Sequence, residues 1–332
     1  MKSIKDRKAR TKWIAGIVSC VGIILIAMLA YSVWMVYETA NKTYDPVERM
    51  PSDIRPEPDN HRSMQDNGNG DKQDENPPKT VETLLILGSD SRGSVDNGRT
   101  DAMILAILNE HTEKITFMSI PRDSYVEIAG QGKKDKINHA YRYGVETTIA
   151  TVENLTGIPV DHYVLFGFTG FRKAVDILGG ITVDVDESIA RNSHRQFGDH
   201  IQFSPGRQLL NGREALYFSR FRYDADGDFG RNDRQQQVIK AFLDQSKEMR
   251  SPAKIKQILD VIGEDVRHDF PFNELVSMVL KMDEYSSQDV EQIKFQTQSK
   301  RMGPQNLWYE LISEEEKTRV RELLREAYEG TK

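Results

Sequence analysis

Between Trp13 and Val36 lie 24 consecutive residues without a charge, WIAGIVSCVGIILIAMLAYSVWMV. No other stretch of the chain leaves fewer structural choices. Backbone placed in hydrocarbon must satisfy its own hydrogen bonds, so a lone apolar segment of this kind is read as a helix. At about 1.5 Å per residue it crosses a hydrocarbon core of about 30 Å with some tilt. Trp13, Trp34 and Tyr37 stand where interfacial aromatics are expected. Lys2, Lys5, Arg7, Lys8, Arg10 and Lys12 precede the span against Asp6 alone. The positive-inside rule therefore predicts a cytoplasmic tail over 1–12, a transmembrane helix over 13–36, and everything after Tyr37 outside the cell membrane. The length of the span and the lack of a small-residue cleavage motif favour an uncleaved anchor over a signal peptide.

That topology narrows the chemistry. Cys20, the only cysteine, falls within the span, so the external part has no disulfide, thiol nucleophile or zinc–thiolate site. The seven histidines form no H-E-x-x-H, and no G-x-S-x-G occurs. A net charge of −6 and an external location both argue against nucleic acid as a partner.

From 37 to 80 the chain is polar and rich in Asp, Glu, Asn and Pro, too poor in apolar residues to build a core, and reads as a spacer. From 81 the composition changes. TLLILG (Thr83–Gly88), AMILAILN (Ala102–Asn109) and KITFMSI (Lys114–Ile120) are short apolar runs bounded by turn signals, as buried strands are. HYVLF (His162–Phe166), ITVDV (Ile181–Val185) and ALYF (Ala215–Phe218) are further strand candidates. Val145, Ile149, Val152 and Leu155 share a helical face, and FTGFRKAVDIL reads as a helix ended by Gly179 and Gly180. After Gln235 the chain reads as mainly helical, with FNELVSMVLKMDEY and EEKTRVRELLREAYEG as amphipathic surface helices. Strands alternating with helices predict an α/β fold, a three-layer α-β-α sandwich with a central mixed sheet, over 81–332.

The charges fall at the ends of the apolar runs. GSDSRG follows the first, RTDAM leads into the second, PRDSY leaves the third, and SRFR (Ser219–Arg222) leaves a later one. Ligands of open α/β sheets collect outside strand ends, so these motifs converge if the relevant ends share a side. Surface ion pairs explain one such arginine readily, but they do not require strand-end placement or flanking glycines. Guanidinium groups bind phosphate oxygens bidentately and stay charged, whereas carboxylates beside an anion serve to hold a hard cation or accept a proton. YFSRFRYDADGDFGRNDRQQQ (Tyr217–Gln237) concentrates both types. If its helix begins near Phe229, Arg231, Arg234 and Gln235 share one face; if Asn232 is the N-cap, Arg231 falls outside.

Read together, GSDSRG, GRTDAMILA, SIPRDSYV, KINHAY, LNGREALYFSRFR and DGDFGRNDRQQQ make the chain resemble the LytR-CpsA-Psr family, membrane-anchored glycopolymer transferases of Gram-positive envelopes. The resemblance implies transfer of a glycopolymer such as wall teichoic acid from a polyprenyl-pyrophosphate carrier to a peptidoglycan sugar hydroxyl. It implies Mg2+ or Mn2+ held by Asp90 and Asp101, and a pyrophosphate held by Arg92, Arg122, Arg220, Arg231 and Gln235. Arg122 and Arg231 would act on the reacting phosphates, and Asp228 is the candidate base. Arg222 is either a second phosphate contact or solvent-facing, and Arg234 either joins the ligand face or pairs with a carboxylate. Arg99 binds phosphate or pairs with Asp96; Asn138 and His139 touch ligand or shape a turn. Two rivals stay open: a lipid-pyrophosphate phosphohydrolase, and a non-catalytic module that binds envelope polyanions.

Overall fold

The three apolar runs after residue 80 form a continuous antiparallel meander in the computed structural model. In chain order the elements are β1 (Val81–Ser89), β2 (Thr100–Asn109), β3 (Lys114–Ser119), β4 (Tyr125–Ile128), β5 (Lys133–Lys136), α1 (Val145–Thr156), β6 (His162–Gly167), α2 (Phe168–Ile177), β7 (Ile181–Val185) and α3 (Glu187–Phe197). Then follow β8 (Gly206–Leu210), α4 (Gly212–Arg220), α5 (Gly227–Ser246), β9 (Val266–His268), α6 (Phe272–Lys281), β10 (Val290–Lys294), β11 (Gln298–Met302), β12 (Leu307–Leu311) and α7 (Glu314–Glu329). The structure describes residues 37–38, 41–55, 80–89, 100–223, 227–246, 265–281 and 285–331. The expected cytoplasmic tail and span, 1–36, lie outside these residues, as do 56–79 of the spacer. Among the described residues no helix is long and apolar enough to cross a membrane.

Six strands make one mixed sheet in the order β10-β3-β2-β1-β6-β9. β1 pairs antiparallel with β2 and parallel with β6, so its two neighbours run in opposite directions. The near-continuous burial of β2 reflects cover on both faces. Because strand side chains alternate, Leu85, Leu87, Met103 and Leu105 face one layer, where Ile149, Val152 and Leu155 of α1 meet Val320 and Leu324 of α7. Ile104, Ala106 and Leu108 face the other, against Leu243 of α5 and Met278 of α6. The chain thus forms the expected α-β-α layers. A second apolar cluster, including Val175, Ile181, Val183, Ile189, Phe218 and Phe221, joins α2, α3, α4 and the β7–β8 ribbon to α5. Gly179 and Gly180 adopt φ of 83° and 102°, which side-chain-bearing residues rarely take, and they turn α2 into β7.

Two expectations are corrected and one is refined. ALYF is helical: Asn211 caps α4 in a reciprocal capping box with Glu214, and Ala215 and Phe218 then fall on one buried face. An apolar run of four residues fits either period, and the upstream cap decides. SRFR accordingly leaves a helix, not a strand. ITVDV is a strand, but it pairs only with β8 outside the central sheet. The region after Gln235 also contributes four strands, of which β9 and β10 form the two edges of the main sheet. β9 has three residues, VRH, and β10 is largely exposed, so neither leaves the apolar run that reveals a central strand.

Part of the polar spacer packs on the domain, at the sheet edge where β1 and β6 begin. Buried Arg49 pairs with buried Asp269 at 2.5 Å and donates to the Asp161 carbonyl at 2.7 Å. Asp45 N donates to the His268 carbonyl at 2.7 Å, and the Tyr163 hydroxyl donates to the Asp45 carbonyl at 3.0 Å. Burial raises the Tyr163 pKa, with the Asp45 and Asp269 carboxylates adding to the shift. Ser52 Oγ donates to Glu153 at 2.7 Å. Tyr37 meets Phe272 edge to face at a centroid distance of 5.3 Å.

Candidate active site

Strand direction brings the charged motifs together. β1 and β3 run towards the same edge of the sheet and β2 runs away from it. The end of β1, the start of β2 and the exit from β3 therefore share that edge, and parallel pairing puts the end of β6 beside them. The GSDSRG, RTDAM and PRDSY motifs begin or end there, opposite the edge on which residues 41–55 pack. Asp90, Arg92 and Arg99 lie outside the described residues.

At this edge a pocket opens between the sheet face and the lobe of α2, α4 and α5. It encloses about 680 Å3 of empty space, part of it open to solvent. Ile86, Ile104, Phe166, Phe171, Val238 and Ile239 make its walls apolar, while Asp101, Arg220, Arg222, Arg231 and Gln235 supply its polar groups. Gly88 also lines it; a Cβ there would meet Ala102 Cβ at 3.1 Å and ring atoms of Phe166 from 3.6 Å, so glycine keeps this wall open.

Asp101 is set by a register break. Gly88 pairs with Ala102, but Ser89 pairs with Thr100, so the ladder skips Asp101. Such a bulge bends the strand and re-aims a side chain. Asp101 Oδ1 accepts from Arg122 Nη1 at 2.5 Å, which joins the second motif to the third. Arg122 Nε lies 3.4 Å from Asp123, which also accepts from Lys136 at 2.6 Å. The Arg122 carbonyl accepts from Asn138 N at 3.2 Å, and His139 Nδ1 sits 3.0 Å from Asp135. The Asn138 backbone bond reaches the turn that carries Arg122, whereas the His139 contact joins the end of β5 to the helical turn that follows it.

α5 begins at Gly227, so Arg231 lies inside the helix and shares the pocket with Gln235 one turn on. Asp228 sits in the first turn of α5, and its side chain lies outside the described residues. Gln236 Nε2 donates to Ser119 Oγ at 2.7 Å and ties α5 to the end of β3. Arg234 is not among the residues lining the pocket. It is buried and donates to the Phe221 carbonyl at 2.6 Å, its guanidinium 5.3 Å from the Phe221 ring centroid. Sequence reading set a place on the ligand face against a carboxylate pair for Arg234, and the contact described here is with this backbone carbonyl.

The Arg220–Arg222 segment is held from two helices. Gln196 of α3 donates through Nε2 to the Arg220 carbonyl at 2.9 Å and accepts from Arg222 N at 2.8 Å. Arg234 holds the carbonyl between. Phe221, fully buried, anchors the middle, while Arg220 packs its guanidinium 4.5 Å from the Phe168 ring centroid. Arg220, the last residue of α4, and Arg222, just beyond it, both line the pocket as a result. Sequence reading missed Gln196 because no motif or periodicity marks it; only the folded turn brings it within reach.

An apolar pocket with guanidinium groups at its polar end can accept an amphiphile that carries an anionic head. Comparison with known proteins gives the same picture. The LytR_cpsA_psr family model matches residues 33–326. A protein of Halalkalibacterium halodurans named polyisoprenyl-teichoic acid–peptidoglycan teichoic acid transferase TagU is 35% identical over 313 residues, covering 90% of this chain and 92% of that one. The solved structure described as TagT bound to LI-WTA has a TM-score of 0.65 and 29% identity, covering 76% of this chain and 92% of that chain. A second, the LytR-CPS2A-psr family protein YwtF (TagT) with bound octaprenyl pyrophosphate lipid, has a TM-score of 0.61 and 27% identity over 76% of this chain and 91% of that chain.

Proposed function

The chain belongs to the LytR_cpsA_psr family, and from that premise we propose that it transfers a glycopolymer from a polyprenyl-pyrophosphate carrier to a peptidoglycan hydroxyl. One observation carries the reading: a single pocket has apolar walls and, at the motif-bearing sheet edge, Arg220, Arg222, Arg231 and Gln235. The walls suit a prenyl tail. The arginines suit a diphosphate, whose several anionic oxygens they can share.

Transfer at phosphorus depends mainly on alignment and on neutralising charge at the equatorial and leaving oxygens. Arg220, Arg222 and Arg231 would take these oxygens, and Gln235 would add an amide donor. Arg122, held against Asp101, extends the cationic surface to the next motif. Asp228, in the first turn of α5, is the candidate to accept the proton of the attacking hydroxyl. The acceptor oxygen then bonds to the polymer phosphate as polyprenyl phosphate departs, so the carrier supplies the energy.

Asp101 fits a hard divalent cation by donor type: an oxygen ligand at the pocket, with only Oδ1 engaged by Arg122. Asp90, one residue beyond β1, would be its partner ligand. Bound Mg2+ would neutralise diphosphate charge. The charge-free span over 13–36 would anchor the protein in the cell membrane with its N-terminus cytoplasmic, keeping the pocket near a lipid-linked donor.

The full chain in lipid nanodiscs, given lipid-linked donor with and without peptidoglycan glycan, tests the proposal. Polymer should become attached to glycan, and polyprenyl phosphate release should depend on acceptor. Equal release without acceptor would identify a phosphohydrolase instead.

A further inference from the structure

The β11–β12 ribbon stands beside the Arg122 turn. Glu310 N donates to the Asp123 carbonyl at 2.9 Å, and Ser124 forms a parallel bridge with Glu310. Asp123 and Ser124 directly follow Arg122, so β12 lies against the turn that carries it. The ribbon therefore continues the rim of the active site.

Its two faces differ. Lys300 pairs with Tyr309, and Tyr309 faces the body of the domain, edge-on to Tyr125 at 5.3 Å with Lys136 Nζ 5.1 Å from its ring. Alternation then turns Ser299, Arg301, Trp308 and Glu310 outward. Trp308 is 52% exposed, and the Arg301 guanidinium lies 4.7 Å from its ring centroid. That contact fixes the orientation of the indole at little further entropic cost on binding. Glu310 accepts from Thr297 and Ser299, each at 2.6 Å, which presets the neighbouring hydrogen-bonding groups.

We propose that this outward face is the docking platform for the acceptor glycan, with a sugar ring stacked on Trp308. The proposal rests on the transferase reading and adds to it the place where the acceptor strand lies. A pyranose ring offers a C–H face to an aromatic ring and hydroxyl or amide groups at its margin, matching an oriented indole flanked by Arg301 and Glu310. The charge pattern selects among possible carbohydrates. Arg301 and Glu310 lie diagonally across the ribbon on this one face, so the platform carries both signs, whereas the pocket collects guanidinium groups. A phosphate-rich donor polymer would meet the Glu310 carboxylate on the platform; neutral N-acetylated sugars would not. The acceptor strand would thus run from Trp308 past Arg122 to the reacting phosphate.

The chain contains three tryptophans, Trp13, Trp34 and Trp308, so Trp308 can be read alone. In nanodiscs, the full chain carrying Trp13→Phe and Trp34→Phe is titrated with N-acetylglucosamine oligomers while indole emission is followed. A saturable shift is expected, and none from an anionic poly(glycerol phosphate) chain. In the transfer assay Trp308→Ala should raise the acceptor KM about tenfold or more, and Trp308→Phe should recover most of that loss. Donor KM should stay within about twofold, since the residue lies off the pocket lining; thermal unfolding confirms that the exposed substitution leaves the fold intact. Unchanged acceptor KM with no emission shift would overturn the platform while leaving the transferase reading standing. An emission shift with the anionic polymer alone would overturn the assignment of the occupant. If no chain transfers polymer, the transferase reading fails, and the oligomer titration alone decides whether the platform binds sugar.

Discussion

Gln196 gives the sharpest test of how the site is held. Its side-chain amide makes two hydrogen bonds to the backbone on either side of Phe221, and it touches no group assigned to the reaction. Each such bond contributes a net of about 0.5–1.5 kcal/mol. Gln196→Ala therefore releases about 1–3 kcal/mol of restraint on the segment that presents Arg220 and Arg222. If that order must be restored in the transition state, kcat/KM falls by about 5- to 150-fold, since each 1.36 kcal/mol is a factor of ten. Arg234 and buried Phe221 still hold the middle of the segment, so a larger loss is not expected. The assay is polyprenyl phosphate release from lipid-linked donor by the full chain in nanodiscs, with acceptor glycan present. Donor affinity, dominated by the apolar walls, should change much less than kcat. Wild-type kcat/KM in Gln196→Ala would refute the idea that the position of this turn governs the reaction.

Arg49→Met should destabilise the protein by about 3–5 kcal/mol in urea unfolding, because Asp269 is left buried without its cation; Asp269→Asn in the same chain should recover part of the loss. His268 is pushed down to about 4 from 6.5, mainly by burial. Its Nδ1 accepts from Phe270 N, so a proton there must break that bond. Above pH 6.5 its contribution to stability is complete; as pH falls towards 4, the unfolded chain takes up a proton that the folded one refuses, and up to about 3 kcal/mol is lost. Unfolding measured across that window should flatten in His268→Gln. At Gly212 an added Cβ would lie 2.0 Å from the Arg172 carbonyl oxygen. Gly212→Ala must shift backbone between α4 and α2, and thermal unfolding should show a loss of about 1–3 kcal/mol.

The centre of the fold was readable because β1, β2, β3 and β6 are buried enough to leave apolar runs bounded by turn signals. The same runs point to the candidate site, since the end of β1, the start of β2 and the exit from β3 share one edge. What escaped detection has no one-dimensional trace. Asp101 could be picked as a charged residue at a strand end, but not as the residue skipped in a bulge. Arg234 and Arg231 look alike in sequence, three residues apart on one helix; a few tens of degrees of rotation send one into the pocket and the other to the Phe221 carbonyl. Residues 41–55 are polar and so read as spacer, yet they dock through Arg49 and Asp45 to groups more than 100 residues away. ALYF was misassigned because its burial comes from a helical face, which four residues do not reveal.

The Arg49–Asp269 contact spans 220 positions of the chain. At about 5–20 residues per second, synthesis takes roughly 10–45 s to deliver the second partner after the first. Throughout that interval β3 and β6 also lack their outer neighbours, β10 and β9. A polypeptide ended prematurely after 246 would keep both hydrogen-bonding margins open, and such margins invite pairing with other chains. Completion of the tail is therefore what protects the nascent protein from self-association, a task separate from any that the tail has near the reacting phosphates.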